Sequence, residues 1–263
     1  MIHIVTSENR RLYGLQLEVL RAPGDETNGG TDLLAGAGGE IDVGAVHLVA
    51  LDDDMRLEIG LSLRPTDRRC GLADTFPHLI APGEPPKKGF GVWEATRLLT
   101  TGVHGARTDR GARMGEVWAA AMELALANRV ERIVGMIDMR LYPQIADGPL
   151  GVRLTGLPRA HCDGVIAGLE IVVTRALLDG AYEAIGVEGP VGYHVDALDL
   201  RAFGDLAAVQ RQMVRAQIPQ FDPGSARDET LSAEVLYEIN DRSIGAQSLA
   251  NRAAHQPVAR LNA

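Results

Sequence analysis

Apolar residues recur along the chain with two different periods, and each change of period marks a new element. Residues 2–5, Ile-His-Ile-Val, form a short strand. Ser7 stands where a helix cap belongs, before a helix over 8–20 with Leu12, Leu15, Val19 and Leu20 on one face. Between 23 and 39 the periodicity stops, and many glycines and small residues make a loop longer than most in compact domains. Residues 45–51 form a buried strand, Asp52, Asp53 and Asp54 a turn, and residues 57–64 the returning arm of a hairpin. A short helix or turn follows at 72–79, then a Pro/Gly-rich loop at 81–89 and a long strand over 92–103. The strongest helical pattern covers 112–128, with Met114, Val117, Trp118, Ala121, Met122, Leu124 and Ala125 in phase. A strand at 132–137 completes a strand–helix–strand unit, which implies a parallel crossover. A short helix at 141–145, strands at 152–155 and 165–173, and a helix at 175–185 close the pattern. Beyond residue 186 it weakens, leaving amphipathic helices at 206–218 and 231–240 separated by Pro219, Pro223 and Gly224.

These elements predict an α/β architecture: three αβα layers around a mixed sheet, with a hairpin first, then a crossover, then a closing pair. The order resembles the fold of the N-acyltransferases (GNAT-like). Residues 1–186 are expected to form that domain and 187–263 a C-terminal helical extension.

Composition narrows the partners. The 263 residues are 46% hydrophobic and 23% charged, as in ordinary globular proteins. A net charge of −9 argues against nucleic acid as the main partner. No apolar run approaches the roughly 20 residues needed to cross a membrane. The N-terminal stretch has early charges and no apolar centre, unlike a signal peptide. Cys70 and Cys162 have neither metal spacing nor the look of a disulfide framework. Together these features predict a cytoplasmic protein. His3, His47, His78, His104 and His161 show no metal spacing, so no metal site is assigned.

Candidate chemistry concentrates in Trp93-Glu94-Ala95-Thr96-Arg97 and in Arg64 at the end of the preceding strand. Opposite charges on neighbouring strands imply a polar pocket, because an unpaired charge within a sheet is costly. The alternative reading is a plain cross-strand ion pair. For Trp93 the choice lies between core packing and ligand contact, and for Asp42 between a site residue and a turn residue.

In register with these residues, further segments resemble the acyl-homoserine-lactone synthases, the LuxI-type autoinducer synthases of quorum sensing. They include Leu12-Tyr13-Gly14-Leu15, Glu40-Ile41-Asp42, Val46 to Asp52, Ser62 to Thr66, Phe76-Pro77-His78-Leu79 and Leu154 to Pro158. The resemblance spans residues 1–178. It implies transfer of an acyl chain, from an acyl carrier protein or acyl-coenzyme A thioester, to the amine of S-adenosylmethionine, followed by lactone closure. S-adenosylmethionine is then a substrate, and no cofactor is implied. The resemblance gives Glu94 the role of base, and Arg64, Arg97 and Asp42 places in the charged cluster; Trp93 and Thr96 flank it. Physically, an ammonium must lose a proton before it can attack a thioester, and a carboxylate on a rigid strand suits that task. Backbone N–H groups at an irregularity of the long strand suit the oxyanion.

Two further groups have competing explanations. Met122, Met136 and Met139 are candidates for an acyl pocket, since methionine adapts to irregular apolar shapes, or are ordinary core residues. Arg68, Arg69, Lys87, Lys88 and Arg110 form either a docking patch for an acidic carrier protein or a solvated basic face. The chain departs from the family at Gln16 and Leu20, where an arginine and a phenylalanine are usual, and in lacking the tryptophan of the following loop and the second aspartate after Asp42. Three functions therefore compete: a divergent synthase, an acyltransferase for another amine, and a non-enzymatic paralogue that holds an acyl ligand.

Overall fold

The computed structural model describes residues 1–21, 31–32, 44–101, 107–140, 142–146, 150–161, 164–196, 199–201 and 204–216. Ten strands form one sheet: β1 (Ile2–Val5), β2 (Thr31–Asp32), β3 (Val46–Leu51), β4 (Leu57–Pro65), β5 (Val92–Thr100), β6 (Arg132–Asp138), β7 (Arg153–Leu154), β8 (Arg159–His161), β9 (Gly164–Val172) and β10 (Gly192–Tyr193). Their order is β10-β1-β3-β4-β5-β6-β9-β7, with β2 on β5 and β8 on β9. The β1–β10 and β5–β6 neighbours run parallel, and the others antiparallel. The helices are α1 (Gly14–Arg21), α2 (Arg107–Ala127), α3 (Pro143–Ala146), α4 (Arg175–Ile185) and α5 (Leu206–Ala216).

The predicted three-layer mixed sheet is the observed one. Paired residues share a face of a sheet, as do residues two apart on one strand. By that rule Leu61, Leu63, Trp93, Ala95, Leu98 and Leu169 point one way, into a core shared with Val117, Trp118, Met122 and Leu178 of α2 and α4. Every residue of α2 from Val117 to Ala125 is buried, because the helix lies between the sheet and α4. Gly115 permits that closeness, since a Cβ there would meet Ile185 Cγ2 at 2.3 Å.

The opposite face is covered in two pieces. At one end α1 sets Leu17 and Leu20, together with Tyr13, against Val49, Leu51 and Leu99. At the other, the connection from Thr66 to Gly91 sets Leu72 and Leu79 against Val134, Met136 and Ile166. Between the two apolar pieces the face is polar.

The face that α1 buries differs from the expected one. A 3-10 turn at Arg10–Tyr13 comes first and shifts the phase, so Tyr13, Gln16, Leu17 and Leu20 face inward while Leu15 is 75% exposed. Strands β2, β8 and β10 were not expected. The β10 strand extends the sheet from residues assigned to the C-terminal extension. The buried Glu123 carboxylate on α2 holds it there, accepting from Tyr182 Oη, Val191 N and Gly192 N at 2.7, 2.8 and 2.9 Å. The expected helix at 231–240, Cys162 and nearly all of the loop at 23–39 lie outside the described residues.

Candidate active site

Strand β4 reads Leu61-Ser62-Leu63-Arg64, an alternation that aims Ser62 and Arg64 away from the main core. Glu94 on β5 pairs with Arg64 and so shares its face. Arg97 is three residues on, an odd spacing that would turn it to the other side of an unbroken strand. The register shifts here: Leu63 pairs with Ala95 and Ser62 with Arg97, leaving Thr96 as the extra residue of a β-bulge. The bulge brings Arg97 back onto the face of Glu94. It also falls where the parallel ladder ends. The β5–β6 pairing stops at Ala95↔Gly135, although β5 runs on to Thr100 and β6 to Asp138.

Glu94 is 2% exposed and is hydrogen-bonded at both oxygens. Its Oε2 accepts from Arg64 Nε at 2.9 Å, Arg64 Nη2 at 2.5 Å and the Gly71 amide at 2.9 Å. Oε1 takes the Leu72 amide at 2.9 Å and the Cys70 thiol at 3.8 Å. The two amides open a single wide turn, Gly71–Thr75, closed by Phe76 N to Gly71 O at 3.0 Å. Glycine is required there because a Cβ on residue 71 would stand 2.9 Å from Oε1. Burial pushes the Cys70 thiol up to about 11, with the Glu94 charge adding to it, so Cys70 is a neutral donor and not a nucleophile.

The second polar row runs His47, Ser62, Arg97 across β3, β4 and β5. Ser62 Oγ lies 2.9 Å from His47 Nδ1. Thr96 Oγ1 reaches Ser62 O at 3.5 Å, and Arg97 Nη1 donates to Arg21 O at the end of α1 at 2.8 Å. Burial, and then the Arg21 charge, hold His47 down at about 4, so the imidazole is neutral at pH 7. His47 and Ser62 were not among the expected site residues. Their signal is the hairpin register, which sets them in line with Arg97.

Other expected positions fall elsewhere. Trp93 is 7% exposed within the main core, on the side of the sheet away from Glu94, so it packs and does not line this site. Met122 and Met139 adjoin that same core, whereas Met136 lies with Leu72 and Val134 beside Glu94; the sheet separates them, and they cannot line one pocket together. Asp42 lies outside the described residues, as does the side chain of Arg110.

The basic patch is also reduced. Arg68 and Arg69 are exposed, and Lys88 pairs with Asp74 at 2.8 Å on the surface. Lys87 is wholly buried, with Nζ 2.9 Å from both Glu84 and Glu170, and cannot serve as a docking charge. Arg153 pairs with both glutamates and Arg132 approaches Glu170 at 3.6 Å, so the buried carboxylate is compensated. This network fixes the 66–91 connection to β9, and Cys70 Sγ lies 3.4 Å from Lys87 O beside the Glu94 turn. Among the described residues, no three His, Cys, Asp or Glu side chains gather as a metal site would need, and no helix is long and apolar enough to cross a membrane.

Layers, bulge and interrupted parallel pair define an N-acyltransferase-like fold with a carboxylate–guanidinium cluster at its interrupted strand. No protein-family model matches the sequence, and no curated protein does. Among solved structures, the chain is similar to the CoA-dependent acyl-homoserine lactone synthase MesI, with 27% identity, a TM-score of 0.55, and coverage of 73% of this chain and 98% of that one. It is similar to the CoA-dependent synthase BjaI with MTA at 24% identity and a TM-score of 0.57, over 81% of this chain and 99% of that one. The synthase LasI shares the fold at 18% identity and a TM-score of 0.53, over 72% of this chain and 96% of that one. BjaI has also been solved with SAM and isopentyl-CoA. The fold of the chain is thus similar to that of the acyl-homoserine lactone synthases.

Proposed function

We propose that the chain acylates the amine of S-adenosylmethionine from an acyl thioester, carried by coenzyme A or an acyl carrier protein, and closes the product to an N-acyl-homoserine lactone. The observation that carries this reading is Glu94, held by Arg64 and two amides beside the bulge where the β5–β6 ladder ends.

The substrate ammonium gives up a proton to Glu94, directly or through water. Oε1 is the receiving atom, because Oε2 already takes three donors while Oε1 holds one amide and a distant thiol. The freed amine nitrogen attacks the thioester carbonyl carbon. Backbone N–H groups at the bulge, past the end of the parallel ladder, stabilise the oxyanion. The C–S bond then breaks, and the leaving thiolate takes up the proton that the attacking nitrogen sheds as the amide forms. In the second step the substrate carboxylate displaces the sulfonium from the γ-carbon, closing the ring and releasing methylthioadenosine; holding the two groups together supplies most of the advantage.

A second reading, an acyltransferase for a different amine, has support of its own. Gln16 spends its amide on Met55 O at 2.6 Å, and Leu20 packs where a Cβ on Gly60 would stand only 2.7 Å away. Both side chains serve packing at the positions where the resemblance has an arginine and a phenylalanine. Mass analysis of lipid-soluble products from expressing cells separates the readings. A lactone gains the mass of water in alkali, whereas an open N-acyl amino acid is unchanged, and finding only the latter would refute lactone synthesis.

A further inference from the structure

The His47–Ser62–Arg97 row has no assigned task, yet it lies on the same face as Glu94, in the polar interval between the two apolar patches. His47 is half-buried, and its Nδ1 is held by Ser62 at 2.9 Å. Nε2 makes no hydrogen bond to any described residue, and it is not among the buried orphan nitrogens, so it remains reachable. Guanidinium groups lie around it: Arg97 in its row, Arg21 close enough to bias its charge, and Arg64, already paired with Glu94, two positions along β4. Such a corner repels an ammonium and attracts a carboxylate. A neutral imidazole adds a directional donor there without another repelling charge.

We propose that His47, oriented by Ser62, binds the α-carboxylate of the amine donor together with Arg97, while the donor's amine is directed to Glu94. This rests on the reading above that the donor is S-adenosylmethionine. Adjacent inward positions on a strand lie about 7 Å apart, so side chains from the two polar rows can converge on the two ends of one α-amino acid. His47 is thereby a specificity residue for the amine donor and touches neither the thioester nor the leaving thiol.

The test compares two ligands that differ in the carboxylate. S-adenosylhomocysteine carries the whole amino-acid end, and methylthioadenosine lacks it. Calorimetric titration of the full chain is expected to show His47→Phe weakening S-adenosylhomocysteine about tenfold and methylthioadenosine less than about twofold. His47→Gln, which restores a donor, recovers most of the loss. Ser62→Ala gives a smaller loss with the same selectivity, and serves if the phenylalanine variant folds poorly. Equal weakening of both ligands, or none, overturns the assignment of His47 while leaving the proposed donor intact. Failure of the unaltered chain to bind either ligand overturns the donor, and the inference with it.

Discussion

Replacing Glu94 by glutamine changes one atom and disturbs every contact of the carboxylate. The amide's oxygen must go to the Arg64 and Gly71 donors, since three of the five contacts lie there. Its NH2 then faces the Leu72 amide, donor against donor. Leaving one buried N–H unsatisfied costs about 1–3 kcal/mol. Losing one partner of a buried ion pair costs about 3–5 kcal/mol, but the Arg64 side chain is 15% exposed and can recover part of that from water. The net expectation is a destabilisation of about 3 kcal/mol, or a drop in melting temperature of roughly 6–12 °C for a chain of this size. Urea unfolding followed by circular dichroism measures it. Acyl transfer, assayed as free thiol at a temperature where the variant is folded, should fall at least about 100-fold, the usual contribution of a positioned base. A variant within about 0.5 kcal/mol of the parent would show that the carboxylate is not held as described. Normal turnover would remove Glu94 from the chemistry.

Gly71→Ala places a methyl group 2.9 Å from Glu94 Oε1 and should lower turnover more than stability; unchanged kcat would count against the close approach of the turn. Lys87→Met takes one of its cations from the buried Glu170 and should cost about 3 kcal/mol, whereas Lys88→Met, at an exposed pair, should cost less than about 1 kcal/mol; similar melting temperatures for the two would contradict the burial of Lys87. His3, wholly buried between Tyr13 and Gln210, is held down at about 4, chiefly by burial. The folded state keeps it neutral, so its contribution of about 3 kcal/mol is complete above pH ~6.5 and is lost as pH falls through about 4. An NMR titration of the His3 ring should show its midpoint near 4, and a value near 6.5 would refute its burial.

The β3–β4 hairpin and the β5–α2–β6 crossover are legible in the sequence because apolar runs separated by turn residues, and a long helical period, leave few alternatives. Helix α4 is legible almost to the residue: Thr174 caps its start, its Oγ1 accepting from Leu177 N, and Gly186 ends it with φ +70°. The bulge at Thr96 leaves no trace in composition, yet it decides that Glu94 and Arg97 share a face. The phase of α1 is hidden because Gln16, polar, takes an inward position to reach Met55 O. Lys87 reads as a surface charge, since burial of lysine depends on carboxylates distant in sequence, here Glu170. Arg64 and Glu94 come together as the strand pattern suggests; Trp93 sits beside Glu94 in sequence but, by strand alternation, on the other side of the sheet.

In the proposed reaction the Glu94 site joins an acyl thioester to S-adenosylmethionine and then closes a ring. Simultaneous quantification of free thiol and methylthioadenosine, with purified full-length chain, S-adenosylmethionine and an acyl thioester, tests it most directly. The two products should appear in equal amounts and vanish together when S-adenosylmethionine is omitted. Thiol released without methylthioadenosine, or at the same rate without the amine donor, would contradict it.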